Sequence, residues 1–363
     1  MGLNEKNMYK QRISNRNSNL ELLRIILMFM VVAHHCVTAS GIQNSYDLTN
    51  NFIKTLLIQW TGMWGKTAIN AFVLITGYFM CKKQMKWKKI VKIVLEIKFY
   101  DIILFALFTP KITPLAIMKR MVSISMNINH SFVGSFVVLY LFIPYINKLI
   151  NVLTKNEIEH FLALQVVIYT IIGTFIGNYA VFTHLSWYIF LYSLGAYFSI
   201  YPNKWTESKK FNLFALVFLL NCAYVSVLLI DLVNLNFGTN INCYYFVSNS
   251  NKILALLVSV EVFLLFKNIS IKNCKWINTI SSTTFGILLI HTYNDSMNSF
   301  IWNKIFQIQN LYNFSCVWIV IKILIASLCV FIICSLIDFV RIYVFEVPLF
   351  KWFSKHEEII NSR

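Results

Sequence analysis

Charged residues are scarce in this sequence. Aspartate, glutamate, lysine and arginine make up 13% of the 363 residues, whereas 58% are hydrophobic, and the mean hydropathy is +0.63. This composition excludes an ordinary soluble domain. Acidic residues are fewer than basic ones, 15 against 32. The distribution of the basic residues along the chain can therefore indicate how the protein is oriented in a membrane.

Several chemical motifs are also missing. The eight cysteines are scattered singly, with no CxxC pair and no Cys/His cluster at metal-ligand spacing, so neither a disulfide framework nor a metal site is indicated. The sequence has no glycine-rich phosphate loop, no GxSxG segment and no long linker. We therefore predict one integral membrane domain over residues 1–363.

Apolar runs recur along the whole chain, each long enough to cross the ~30 Å hydrocarbon core of a bilayer as a helix. The fold class predicted is all-α, a polytopic membrane protein with about ten transmembrane helices. The spans are predicted near residues 20–39, 65–81, 90–109, 132–149, 161–177, 184–200, 211–233, 251–266, 280–297 and 317–340. The first has a polar, basic tail before it and no small-residue cleavage site after it, so we interpret it as retained.

The basic residues favour alternate loops. Residues 6–16 and 82–92 are rich in lysine and arginine, whereas the intervening segments hold few, such as Lys54 and Lys66. This asymmetry is the positive-inside pattern, which predicts cytoplasmic tails at residues 1–19 and 346–363. The net charge of +17 is thereby explained by basic loops on the cytoplasmic side of a membrane, and it does not require a nucleic-acid partner.

Two polar side chains share one face of the first predicted helix. Arg24 and His35 are eleven residues apart, which is about 1100° of rotation and ~16 Å of rise. His34 falls about 80° away from that stripe. The stripe suits the wall of a polar cavity, and a neutral imidazole suits a general base acting on a hydroxyl. The alternative is that Arg24 extends to the headgroups and His35 bonds a neighbouring helix.

Charges also occur inside a predicted span. Lys98 and Asp101 are three residues apart in the segment 90–109, and we interpret them as a neutralising pair.

Arg24, ten intervening residues and His35 resemble the first-helix motif of the acyltransferase-3 family of bacterial membrane acyltransferases. Further segments resemble that family in the same order along the chain: INAFVLITGYF (69–79), SFVGSFVVLYLFIPYINKLI (131–150), LSWYIFLYSLGAYF (185–198), WINTISSTTFGILLIHTY (276–293) and LIDFVRIYVFEVP (336–348). Thr76 replaces the usual serine before Gly77, and Ser131 stands where tryptophan is common.

The resemblance implies a membrane O-acyltransferase of the bacterial cytoplasmic membrane. It would move an acyl group, most often acetyl, from cytoplasmic acyl-CoA to a hydroxyl of a surface or lipid-linked glycan, with no permanently bound cofactor. His35 would be the catalytic histidine and Arg24 its motif partner. Direct attack on the thioester and a transient acyl-histidine both remain open. The rival class is a transporter or flippase of a lipid-linked glycan or small polar substrate.

Substrate contacts are predicted at both ends of the path. Arg24, Lys82 and Lys83 are candidates for the coenzyme A phosphates, although any inner loop attracts lysines. The acceptor candidates each have a structural alternative, such as helix packing, headgroup anchoring or core hydrogen bonding. They are Asn70, Trp187, Tyr188, His291 and Tyr293.

Overall fold

The structure is a computed structural model, and it describes residues 17–85, 87–108, 113–115, 118, 120, 132–177 and 182–353. Within these ranges the chain is helical and contains no strand, which confirms the predicted all-α class. Residues 1–16 and 354–363 of the predicted tails lie outside the described residues, as does Ser131.

The helices are named here in chain order. They are α1 (Ser18–Thr38), α2 (Phe52–Gly62), α3 (Gly65–Met80), α4 (Trp87–Phe108), α5 (Phe132–Val152), α6 (Lys155–Phe175), α7 (His184–Ile200), α8 (Lys209–Phe237), α9 (Ile253–Asn268), α10 (Lys275–Ser281), α11 (Thr284–His291), α12 (Asp295–Asn298) and α13 (Cys316–Arg341). A π-helical turn, Val166–Ile172, interrupts α6, and another, Ile342–Glu346, continues α13.

Five helical segments of the described chain are long and apolar enough to cross a membrane: α1, α5, α6, α8, and α13 with its continuation to Phe353. The prediction of one continuous span over 280–297 is wrong, because this segment is divided into α10, α11 and α12. Serines, threonines and the polar run after His291 separate the three pieces. The amphipathic helix α2 was not predicted. The total of ten spans and the cytoplasmic position of the termini stay predictions.

Helix α1 is the centre of the assembly. It packs against α2, α3, α9, α10, α11 and α13, and Leu20, Leu23 and Leu27 on it are fully buried. By contrast α8 exposes large apolar side chains such as Phe214 and Phe218. Side chains of this kind on an outer helix indicate a lipid-facing surface, whereas α1 is enclosed by protein.

Helices α3 and α7 touch backbone to backbone. A Cβ atom added at Gly77 of α3 would lie 2.1 Å from the carbonyl oxygen of Tyr192, and one added at Gly195 of α7 would lie 2.3 Å from that of Leu74. Small residues allow this close approach between membrane helices, where van der Waals packing drives association. The crossing fixes α3, which forms one wall of the site described below.

We predict that Gly77→Val destabilises the fold, because the new side chain collides with the α7 backbone and overpacking costs about 1–3 kcal/mol or more. The midpoint of thermal unfolding in detergent and the protein level in membranes would both fall. Ala106→Val, which adds similar bulk at an exposed position of α4, is the matched control. Equal behaviour of the two variants would contradict the close crossing.

Candidate active site

A hydrogen bond joins the imidazoles of His35 and His291, with 2.9 Å between His35 Nδ1 and His291 Nε2. His35 lies in the last turn of α1, and His291 is the final residue of α11. His291 is fully buried, whereas His35 is partly accessible. The structure thus brings together two histidines to which the sequence analysis assigned separate roles.

The bonds of His291 define the tautomers of both rings. His291 Nδ1 lies 2.6 Å from the carbonyl oxygen of Ile287, and because a carbonyl only accepts, Nδ1 carries the proton. A neutral His291 then offers a lone pair at Nε2, so His35 Nδ1 is the donor between the rings. The neutral His35 ring therefore keeps its own lone pair at Nε2, where a base needs it.

His34 has a different environment. Its Nδ1 donates to the carbonyl oxygen of Gly62 at 2.6 Å. Its ring packs on Gly65, where an added Cβ would lie only 2.4 Å from His34 Cδ2. This contact joins α1 to α2 and to the start of α3, in agreement with the prediction that His34 points away from the stripe of Arg24 and His35.

A cavity of about 240 Å³ lies between α1, α3, α4, α5 and α11. On α1 it is lined by Arg24, Met28 and Val31, which follow the helical repeat, and His35 is the next residue on that stripe. On α11 the lining ends at Leu288, one turn before His291. The histidine pair therefore lies one turn beyond the end of the lining that is opposite Arg24.

Arg24 is partly exposed, with 25% of its side chain accessible. Its Nη1 pairs with Glu21 Oε1 at 3.0 Å, and Glu21 also accepts a hydrogen bond from Ser281 on α10. The guanidinium lies 5.9 Å from the centroid of the Phe79 ring. A guanidinium has five N–H donors, so this pairing holds Arg24 in the cavity wall and leaves donors for a ligand.

The two predicted phosphate lysines follow α3 at the same end of the cavity as Arg24. Lys83 Nζ lies 5.5 Å from the Phe79 ring centroid, on which Arg24 also packs. Lys82 Nζ donates to the carbonyl oxygen of Ser199 at 2.7 Å. Both lysines are exposed, and Lys83 is the one that shares an aromatic ring with Arg24.

An ionic cluster borders the cavity from α4 and the end of α13, and the sequence analysis did not foresee it. Arg341 forms ion pairs with three carboxylates, those of Glu96 at 2.9 Å, Asp338 at 2.7 Å and Glu346 at 3.0 Å. Lys92, which lines the cavity with Glu96, also pairs with Glu346. The cluster places a further cation, Lys92, in the cavity wall.

The predicted pairing of Lys98 with Asp101 was wrong. Asp101 pairs with Arg120, and Lys98 donates to the carbonyl oxygen of Arg120 at 2.7 Å. Arg120 is 19 residues away from Asp101, so local helical spacing did not identify it.

Two of the predicted acceptor contacts bind each other. Trp187 Nε1 donates to Asn70 Oδ1 at 2.9 Å, and Asn70 Nδ2 donates to the carbonyl oxygen of Ser250 at 2.7 Å. Both Asn70 and Trp187 are fully buried. Their hydrogen-bonding groups are thus engaged in joining α3 to α7 and to the segment before α9.

The two predicted tyrosines also contact protein groups. Tyr188 is buried against Phe132, with 5.7 Å between ring centroids. Tyr293 is partly accessible and its hydroxyl donates to the carbonyl oxygen of Asp101 at 3.4 Å. Tyr293 lies two residues after His291 and is the more accessible of the two.

A second, larger cavity of about 620 Å³ lies beyond the end of α1, between the segments that follow α1 and α8. Its lining is rich in amide and hydroxyl side chains and contains a carboxylate, Asp231, but no lysine or arginine. Gln59 Nε2 donates to Asp231 Oδ1 at 3.4 Å. Gln59 Oε1 and Asp231 Oδ2 are buried without a partner. This lining suits a neutral, hydroxyl-rich ligand.

Within the described ranges, no three His, Cys, Asp or Glu side chains are grouped as metal ligands. The candidate site is therefore a histidine pair at the end of a cavity whose other end carries cations.

Comparison with known proteins decides the family. The model of the acyltransferase-3 family, described as an acyltransferase domain, matches residues 17–337. The chain belongs to this family. No curated protein and no solved structure matches it.

The matched region of this acyltransferase contains the histidine pair, Arg24 and the whole of the cavity lining. Asp338, Arg341 and Glu346 of the ionic cluster lie beyond the match. The family assignment and the apolar helices together identify a multi-pass membrane acyltransferase.

We predict that ¹⁵N-histidine NMR of the acyltransferase in detergent at pH 8 shows His35 and His291 both protonated at Nδ1, because the Ile287 carbonyl fixes the order of donors. Signals are assigned with His35→Asn and His291→Asn. The exposed His160 is the internal reference. A proton on Nε2 of His35 would contradict the assignment.

Proposed function

We propose that this protein is an O-acyltransferase that moves an acyl group, most often acetyl, from cytoplasmic acyl-CoA to a hydroxyl of a surface or lipid-linked glycan. The supporting observation is the free Nε2 lone pair of His35, one turn beyond a cavity with Arg24 at its other end. The family match supports acyl transfer and does not favour the transporter alternative.

In this proposal His35 is the general base. Its Nε2 takes the proton of the acceptor hydroxyl as the oxygen attacks the thioester carbonyl carbon. The C–S bond then breaks, and the coenzyme A thiolate recovers the proton from His35. His291 accepts the Nδ1–H bond throughout and orients the ring. A transient acyl group on Nε2 would use the same lone pair, and rapid quenching with labelled donor separates the two routes.

The donor end of the cavity is proposed to bind coenzyme A phosphates. Arg24 and Lys92 line it, and Lys83 lies beside Arg24 across the Phe79 ring. Charge-assisted hydrogen bonds to phosphate are the strong interactions available here. The positive-inside pattern predicts that this end faces the cytoplasm, which supports the proposal of a cytosolic donor and a bacterial inner membrane.

The acceptor is proposed to approach from the opposite end of α1. The second cavity lies there, and its amide and hydroxyl lining with a single carboxylate matches the hydrogen-bonding groups of a neutral glycan. Gln59, which donates to Asp231 in this cavity, lies one turn of α2 before Gly62. The carbonyl oxygen of Gly62 accepts the hydrogen bond from His34. Tyr293 and His291 are the predicted acceptor contacts closest to the reacting nitrogen.

We predict that His35→Ala lowers transfer of labelled acetyl from acetyl-CoA to membrane glycan by at least about 100-fold, because the base is lost. The measurement uses membranes with equal amounts of each variant. His160→Ala, the same change at an exposed position, should keep full activity. Undiminished transfer by His35→Ala would remove the catalytic assignment.

We predict that Arg24→Gln raises the KM for acetyl-CoA about tenfold, since one charge-assisted hydrogen bond is worth ~1.5–3 kcal/mol. The increase should shrink when dephospho-coenzyme A thioester replaces the full donor. Lys210→Gln removes an exposed positive charge elsewhere and should leave KM unchanged. An unchanged KM in Arg24→Gln would place the phosphates elsewhere.

A further inference from the structure

Lys66 occupies the same layer of the structure as the histidine pair. On α3 the cavity is lined by Ile69, Phe72 and Thr76, which form one stripe. Lys66 precedes Ile69 by three residues, so it continues that stripe by one turn. His35 continues the α1 stripe and His291 the α11 stripe in the same direction. His35, His291 and Lys66 therefore each lie about one turn beyond the lining, at the same end of the cavity.

A direct contact independently places the start of α3 beside the histidines of α1. The backbone of Gly65, the residue before Lys66, packs on the ring of His34 so closely that a Cβ there would lie 2.4 Å from it. The rings of His34 and His35 have centroids 5.4 Å apart. The first turn of α3 thus begins beside the histidines of α1 and not in a remote loop.

The charge of Lys66 has no counterpart. Lys66 is half-buried, yet no hydrogen bond or ion pair among the described residues engages it. Other buried lysines are satisfied: Lys252 donates to the carbonyl oxygen of Gly173 at 2.7 Å, and Lys267 pairs with Glu207. A cation within a membrane protein interior is costly and marks a functional site by default.

The same helical turn offers more positive potential. Trp64 precedes α3, and no side chain caps this 16-residue helix, so its first N–H groups and its dipole favour an anion. The hydroxyl of Thr67 is fully buried and also lacks a partner. A buried hydroxyl without a partner and an unpaired ammonium therefore lie on the first turn of α3, beside the histidines of α1.

We propose that Lys66 is a catalytic residue whose ammonium group stabilises the oxyanion of the tetrahedral intermediate. This inference rests on the proposed acyl transfer. As the acceptor oxygen bonds to the thioester carbon, the carbonyl π electrons move to oxygen, and the Lys66 ammonium donates a hydrogen bond to it. The electrons return when the C–S bond breaks. Lys66 keeps its proton, while His35 carries the proton that is transferred.

The test is steady-state acetyl transfer from labelled acetyl-CoA in membranes containing the full chain. Lys66→Met should lower kcat about 100-fold or more and change the KM for acetyl-CoA little, as expected on loss of an oxyanion donor. Lys66→Arg, which keeps charge and donors, should recover most of kcat. Lys304→Met, which removes a lysine from an exposed site, is the matched control and should behave as wild type.

The outcomes separate the two proposals. A wild-type protein that transfers no acyl group would overturn the proposed function and this role with it. An active wild type whose Lys66→Met variant keeps its kcat, or whose Lys66→Arg variant is as impaired as Lys66→Met at equal protein level, would overturn the role of Lys66 alone. If Lys66→Met does not accumulate, Lys66→Gln replaces it in the same comparison.

Discussion

The hydrogen bond between His35 and His291 is the interaction on which the rest of this structure depends. It joins residues that are 256 positions apart, and it requires α1 and α11 to meet at one level. His291 Nδ1 donates to the backbone carbonyl of Ile287, so His291 Nε2 must accept. His35 Nδ1 is therefore the donor between the two rings. The result is an imidazole with a defined free nitrogen.

Helical spacing predicted the α1 side of this site well. The stripe from Arg24 to His35 follows from 3.6 residues per turn, and Met28 and Val31 on the same stripe line the cavity. Hydropathy also located the apolar segments, most of which form a helix in the structure, although 280–297 is divided into three. Both features depend only on residues close together in the chain, so they could be predicted without knowledge of the fold.

Partners distant in sequence were not accessible in this way. The ionic cluster on Arg341 combines α4 with the end of α13, and the partner of Asp101 lies outside its own helix. Lys66 was counted only as a loop charge, although its three-residue spacing from Ile69 was a usable signal. The pairing of Asn70 with Trp187 likewise needed the fold, because neither residue's neighbours indicate the other.

The interruption after His291 has a consequence for the surrounding bilayer. Helix α11 has eight residues, about 12 Å of rise, and its end leaves carbonyl groups that lipid tails cannot solvate. Three of those carbonyls have partners within the protein: Ile287 accepts from His291 Nδ1, Leu288 from the Thr292 hydroxyl, and Ile290 from the Tyr293 N–H. The break in the helix is thereby closed by protein groups, and the bond to the Ile287 carbonyl that helps to close it is the same bond that fixes the proton of His291.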